Sequence, residues 1–418
     1  MVDTFCMSQP QDRSIMKPFH GILFDTDKAG DIAGLVCPPY DVIENTDPYY
    51  ERAPFNAIRL ELPRDLPTID RYHVAKNTMD EWLSKGVLAA DGHESIYTYE
   101  QEFTIDGSTF FRKGFIALHK LDKERILTHE QTRKKAKADR EQLIGTLGTY
   151  TSFIFGLYDD KERTIDNAIE NAPKELLFDF TDEQSIKSRF YRIADSASID
   201  KVKALLDKKY IYIADGHHRL DVSYRLNVTH APFYLTNMYD EGIVILPYHR
   251  MAAFEQKRPL AELIGALEPF MAVEKRPFEN SESLQGALSS VARSDKAAFA
   301  FFAKEDPQHI YVAVEKAPLP IYSTDGLHEV LKKLKVNVIH SGIIRDIMKI
   351  KDEEISFTHD HHFAVDSVRS GTADAAFFLP PTTVDEVRAI AENGLDMPAK
   401  STFFYPKILT GLVFYKYA

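Results

Sequence analysis

The run Tyr212-Ile213-Ala214-Asp215-Gly216-His217-His218-Arg219-Leu220 puts a carboxylate, a glycine, two imidazoles and a guanidinium at one point of the chain. These residue types suit an anion, a phosphate above all. Arg219 can hold two phosphate oxygens at once, His217 and His218 add donors, and Gly216 lets the backbone come close. Asp215 admits three uses: capping a helix, binding a metal ion, or taking a proton. In the plainest reading Asp215 is only a helix cap and the histidine pair a solvated loop. Arg140 and Arg250 are further candidate phosphate ligands, and Glu130 competes with Asp215 as base. Each has an ordinary alternative. Glu130 and Asp139 can belong to a solvated charged helix, Arg250 can pair at a strand end, and Tyr40 with Asp41 can form a turn with a capping aspartate.

The element order around the run supports a phosphate site. KKYIYIA alternates and is β-branched, which predicts a strand, while Leu220, Val222 and Leu226 recur at helical spacing. A helix start leaves free N–H groups and roughly half a positive charge, so a strand, tight turn and helix in series make an anion site. Elsewhere the pattern predicts a strand over Ala57–Leu62 with Arg59 and Glu61 on one face. A helix follows from about Ile69 to Lys85, then a hairpin turning at Asp106-Gly107. The stretch THEQTRKKAKADREQL reads as a charged helix or mobile arm, and SFIFGLY after it as a buried strand. Strands at RFYRIAD, FYLTNMYD and GIVILPYHRMA, then helices alternating with the strands AAFAFFA and HIYVAVE, place the chain in the α+β class with mixed sheets. The cluster His359-Asp360-His361-His362 invites a zinc reading. Adjacent residues on a strand or loop point in different directions, which argues against it. Lys400-Ser401-Thr402 beside Phe403, Phe404 and Tyr405 can bind a carboxylate or phosphate, or the aromatics can be core.

Length and charge narrow the partners. At 418 residues the chain exceeds one hydrophobic core. Soft boundaries suggest a mobile extension over 1–15, an N-terminal α+β unit over 16–120, a core over 121–255 and a C-terminal α+β unit over 256–418. A formal charge of −12 disfavours general nucleic-acid binding. The two cysteines, Cys6 and Cys37, fit free thiols in a reducing cytoplasm. No window is long and apolar enough for a membrane span, and the N-terminus lacks an export signal. A soluble protein acting on small molecules is expected, with a homodimer left open.

Seven motifs in order carry a resemblance: PPYDVI at 38–43, FNAIRLELP at 55–63, HEQT with a later ADREQL, ADGHHR at 214–219, ILPYHR at 245–250, LPPTTVDEV at 379–387 and PAKSTFFYPKILTGLV at 398–413. Together they resemble the domain of unknown function 1015 family, from about Met16 to the C-terminus. The DGHHR element is also similar to that of ParB and sulfiredoxin-like folds and of free-serine kinases built on them. The resemblance implies a ParB/sulfiredoxin-like nucleotide-binding core with an additional N-terminal hairpin and a C-terminal α/β unit. It further implies ATP and Mg²⁺ as cofactors and phosphoryl transfer to free L-serine, giving O-phosphoserine. Only Asp215, Gly216, His217, His218 and Arg219 carry over, with Asp215 as metal ligand or base. A competing implication is a CTP- or ATP-binding switch, or a binding protein without chemistry. The absence of a basic helix-turn-helix weighs against a DNA clamp.

Overall fold

The computed structural model describes residues 14–131, 134–320 and 326–418, with the side chains of 134–136 left aside. The extension expected over 1–15 therefore lies outside the described residues except for Ser14 and Ile15. The chain forms two compact units: Met1–Leu127, Thr132–Ile243 and Pro406–Ala418 in the first, Thr128–Gln131 and Val244–Tyr405 in the second. The α+β class with several sheets is observed.

The first unit is built on a nine-stranded sheet. Its hairpin pairs Ile96–Ile105 with Ser108–Lys120 around Asp106-Gly107, both at positive φ, as the Asp-Gly turn predicts. Strand His230–Asn237 joins the hairpin antiparallel and runs parallel to Ile154–Tyr158, which in turn pairs with Ile211–Asp215. On the other side follow Lys187–Ile193 and Glu175–Thr181. Pairing thus runs without a break across residue 120, so the stretches expected as separate units over 16–120 and 121–255 share one sheet. Every residue of Ile154–Tyr158 and His230–Asn237 is buried, which is why they read as near-continuous apolar runs.

Helix Arg71–Ser84 matches its expected span, capped by Asp70, whose side chain accepts from Tyr72 N and His73 N. The strand expected over Ala57–Leu62 is instead a single helical turn, Ile58–Glu61. Asn56 redirects the chain: its Oδ1 accepts from Ile58 N at 2.9 Å, and its Nδ2 donates to Gly34 O at 2.7 Å and Val36 O at 3.1 Å. The alternation of Arg-Leu-Glu-Leu was a coincidence of a short run. Arg59 and Glu61 consequently part, Arg59 lying over the Tyr50 ring while Glu61 is fully buried. The charged stretch folds as helix Lys134–Leu147, with Arg140, Leu143, Ile144 and Leu147 buried.

The second unit holds a six-stranded antiparallel sheet in the order Met271–Pro277, His309–Glu315, Ala298–Ala303, Ala375–Phe378, His249–Ala252, Ile355–Thr358. Helices Ser281–Ala292 and His361–Arg369 supply Leu284, Ala287, Val291, Ala364, Val365 and Val368 to its core. Segment Thr128–Gln131 groups here because Met397 N donates to His129 O at 2.8 Å. No described helix is long and apolar enough to cross a membrane.

Candidate functional site

Strand Ile211–Asp215 delivers Asp215 to its end, and helix His217–Arg225 begins two residues later. Gly216 between them is left-handed, at φ 89°, and a Cβ there would sit 3.0 Å from Arg219 Nε. Only glycine makes this turn without moving the guanidinium. Gly216 is itself the N-cap, with no side-chain cap bond, so Asp215 does not cap the helix.

Asp215 instead accepts from two cations. Its Oδ1 takes Lys407 Nζ at 2.9 Å and its Oδ2 takes Arg219 Nη2 at 2.7 Å. Burial works to raise this carboxyl, but the Lys407 and Arg219 charges outweigh it and hold the group well below the usual carboxylate range. Arg219 is 2 % exposed and also donates to Phe153 O. Its helix is tied down behind it, since Ser223 Oγ donates to Arg219 O at 2.8 Å and accepts from Tyr150 at 2.8 Å.

A second carboxyl belongs to the same field. Asp41, on the one-turn helix Tyr40–Val42, is reached by solvent, and its carboxyl is raised from its ordinary value. Desolvation is the first cause and the Asp215 carboxylate the next, with Lys407 and Arg219 pulling the other way. Lys407 and Arg219 thus act on both carboxyls, bonding Asp215 directly and reaching Asp41 through their charge.

Behind them lies a buried polar layer. Glu61 accepts from Tyr40 N at 3.2 Å, from Ser152 Oγ at 2.9 Å and from Thr151. Arg140 donates to Glu61 O at 2.8 Å, grips Asp139 Oδ2 through Nε at 3.0 Å and Nη2 at 2.6 Å, and lies 4.3 Å from the centre of the Tyr40 ring. The solvated helix expected at Asp139 is therefore packed along this face. Arg140 braces the Tyr40–Asp41 turn from behind. His217 is buried and His218 partly buried at the helix start.

Two sequence candidates belong to the second unit. Glu130 is partly buried in Thr128–Gln131. Arg250 is fully buried, donates Nη1 to Tyr248 O and lies 5.3 Å from the Phe357 ring centre; burial alone lowers its guanidinium to about 9. The strand-end ion pair expected for Arg250 is replaced by that carbonyl and ring. In the histidine cluster, Asp360 caps helix His361–Arg369 by accepting from His362 N at 2.8 Å and Phe363 N at 3.0 Å, and His359 stacks on Phe403 at 3.9 Å. Lys400 reaches the Tyr248 hydroxyl at 3.3 Å, and Ser401 donates to Pro398 O at 2.6 Å.

Residues 16–337 match the family described as protein of unknown function, DUF1015. The chain belongs to the DUF1015 family. Asp41, Asp215 and Arg219 fall inside the matched region of this DUF1015 chain, and Lys407 falls beyond it. Among solved structures, the chain is similar to a conserved hypothetical protein from Pyrococcus furiosus at 15 % identity, covering 70 % of this chain and 92 % of that one, TM-score 0.33. It is similar to a free serine kinase in complex with AMP at 14 % identity, covering 69 % and 86 %, TM-score 0.35. It is also similar to a C-terminally truncated SbnI from Staphylococcus aureus at 10 % identity, covering 71 % and 86 %, TM-score 0.36. No curated protein matches it.

Two members of the site escaped sequence reasoning in this DUF1015 protein. Lys407 lies 192 residues from Asp215, and nothing local to it signals the pairing. Glu61 was misplaced with its strand. Asp41 stood in view, but only as a turn residue.

Proposed function

We propose that the first unit carries a ParB/sulfiredoxin-like nucleotide-binding core that transfers the terminal phosphoryl group of ATP to the hydroxyl of a small metabolite. Free L-serine, giving O-phosphoserine, is the leading acceptor. The observation that carries this reading is Asp215 held between Arg219 and Lys407 at the start of helix His217–Arg225, with Asp41 in the same electrostatic field. Phosphoryl transfer asks a protein mainly for positioning and charge neutralisation, and this corner holds cations, a helix start and two carboxyls.

The roles divide by acidity. Asp215, kept ionised, suits a metal ion rather than a proton, whereas the raised Asp41 carboxyl suits the base. The acceptor oxygen forms the new bond to phosphorus, the bond to the bridging oxygen breaks, ADP leaves, and Asp41 takes the hydroxyl proton. Gly216, His217, His218 and Arg219 bind the phosphates, and Arg140 positions the Tyr40–Asp41 turn. Asp215 would hold Mg²⁺ through an oxygen shared with Lys407 or Arg219, the ion completing its shell with water and phosphate oxygens. Bound there, Mg²⁺ supplies neutralisation of phosphate charge.

The protein is incubated with ATP, Mg²⁺ and a panel of hydroxyl-bearing metabolites, and phosphate transfer is followed by mass. Product with serine is expected. Nucleotide binding with no product from any acceptor overturns the kinase reading. Glu130 remains the competing base, so E130Q is run beside D41N, and turnover lost only in E130Q overturns Asp41 as the base.

A further inference from the structure

The first unit holds a cavity of about 320 Å³, with no lining residue in common with the Asp215 corner. It opens on the hairpin face of the large sheet and runs to helix Thr164–Glu170 and the turn after His230–Asn237. Its walls are partly apolar, from Phe111, Tyr158 and Ile169, and partly acidic, from five carboxylates against Lys113 and Arg163. A cavity of this size takes a small metabolite.

The charges do not cancel. Glu100 pairs with Lys174 at 3.4 Å, and Glu170 with Lys113 at 3.3 Å. Asp166 accepts from the neutral Tyr158 hydroxyl at 2.7 Å and Asn237 Nδ2 at 2.8 Å; Asp240 accepts from the Gly242 and Lys113 amides. Arg163 donates to Tyr239 O at 2.9 Å. Asp166, Asp240 and Glu241 therefore have no cation pairing with them among the described residues, and Arg163 offsets only one of the three. A polar side chain that is itself buried lines the same cavity: Thr98 is 2 % exposed and its Oγ1 has no hydrogen-bond partner. A buried hydroxyl without a partner is costly, so its presence at a cavity wall points to a ligand group that completes it. Burial also raises the Asp240 carboxyl to about 6, with the Asp166 charge adding to the rise and the Arg112 charge opposing it.

We propose that this cavity binds an aliphatic diamine or polyamine. One ammonium meets Asp240 and Asp166, with the Thr98 hydroxyl as a further acceptor, a second meets Glu241 at the mouth, and the methylene chain lies along Phe111 and Ile169. The mixed lining suits such a molecule, its acidic side chains matching the ammonium groups and its apolar ones the methylenes. The site stands independently of the phosphoryl-transfer reading.

Full-length protein is titrated calorimetrically with 1,4-diaminobutane, with 1,4-butanediol as the uncharged control and Mg²⁺ as the competing cation. Saturable diamine binding, none for the diol and no displacement by Mg²⁺ are expected. D240N and E241Q should each weaken binding on the order of tenfold to a hundredfold, the worth of a hydrogen bond to a charged group. T98V should weaken it by a smaller factor, and circular dichroism establishes that each variant is folded. Absence of saturable binding, equal binding of the diol, displacement by Mg²⁺, or unchanged affinity in D240N and E241Q overturns the proposal.

Discussion

Asp41, Asp215 and Asp240 are chemically identical side chains made different by their neighbours. Two cations keep Asp215 ionised, desolvation and then the Asp215 carboxylate raise Asp41, and burial raises Asp240. The expected consequence for turnover is a split: D41N lowers kcat roughly a hundredfold to ten-thousandfold while nucleotide affinity holds, whereas D215A loses nucleotide affinity. Equal effects of the two on binding, measured by nucleotide titration, would remove the division of roles. Asp240 makes a prediction about stability. Its folded carboxyl holds a proton up to about 6, above the ordinary 3.8, so the folded state binds more protons than the unfolded chain in that window. Stability therefore falls as pH rises through it. Asp240→Asn should gain about 1–2 kcal/mol above the window and little below it, read from urea unfolding at a pH on each side.

At the scale of elements, the Gly216 turn decides whether Arg219 can reach Asp215. Gly216→Ala combines left-handed strain with a Cβ against the guanidinium, a cost of about 1–3 kcal/mol, and should impair nucleotide binding even where the fold survives. Asn56 fixes the other wall. N56A removes a fully buried amide with three bonds, and destabilisation of about 2 kcal/mol in a denaturant melt is expected. The same elements show what the sequence could reveal. Strand Ile211–Asp215, the Asp106-Gly107 hairpin and helix Arg71–Ser84 were legible because period and turn chemistry are local. The turn Ile58–Glu61 was not, because Asn56 bonds to residues 20 and 22 positions away and overrides a four-residue pattern. Helix His361–Arg369 was hidden by its own start, where His-Asp-His-His resembles a loop until Asp360 is seen as a cap. Of the site, Asp215 and Arg219 stand out by residue type within one short run, whereas their ion pair and the reach of Lys407 to Asp215 required the tertiary fold.

For the whole molecule, the last thirteen residues matter out of proportion to their number. Pro406–Ala418 returns to the first unit, bringing Lys407 to Asp215, the Pro406 carbonyl to Arg112 Nη2 at 2.6 Å, and strand Tyr415–Lys416 to Thr149–Tyr150. A chain truncated after Tyr405 should lose nucleotide binding and show a lowered Tm for the first unit, followed by differential scanning calorimetry. An unchanged Tm would mean that the returning segment contributes no stability.

That return also bears on how the second unit is connected to the first. Val244–Leu246, where the chain enters the second unit, pairs antiparallel with Phe403–Tyr405, where it leaves. Neighbouring strands lie about 5 Å apart, a gap that a tight reverse turn can close. Apart from Thr128–Gln131, the second unit is therefore one continuous insertion between Ile243 and Pro406, with its entry and exit strands held side by side. Replacing residues 247–402 by a short turn would leave the backbone path from Val244 to Pro406 intact.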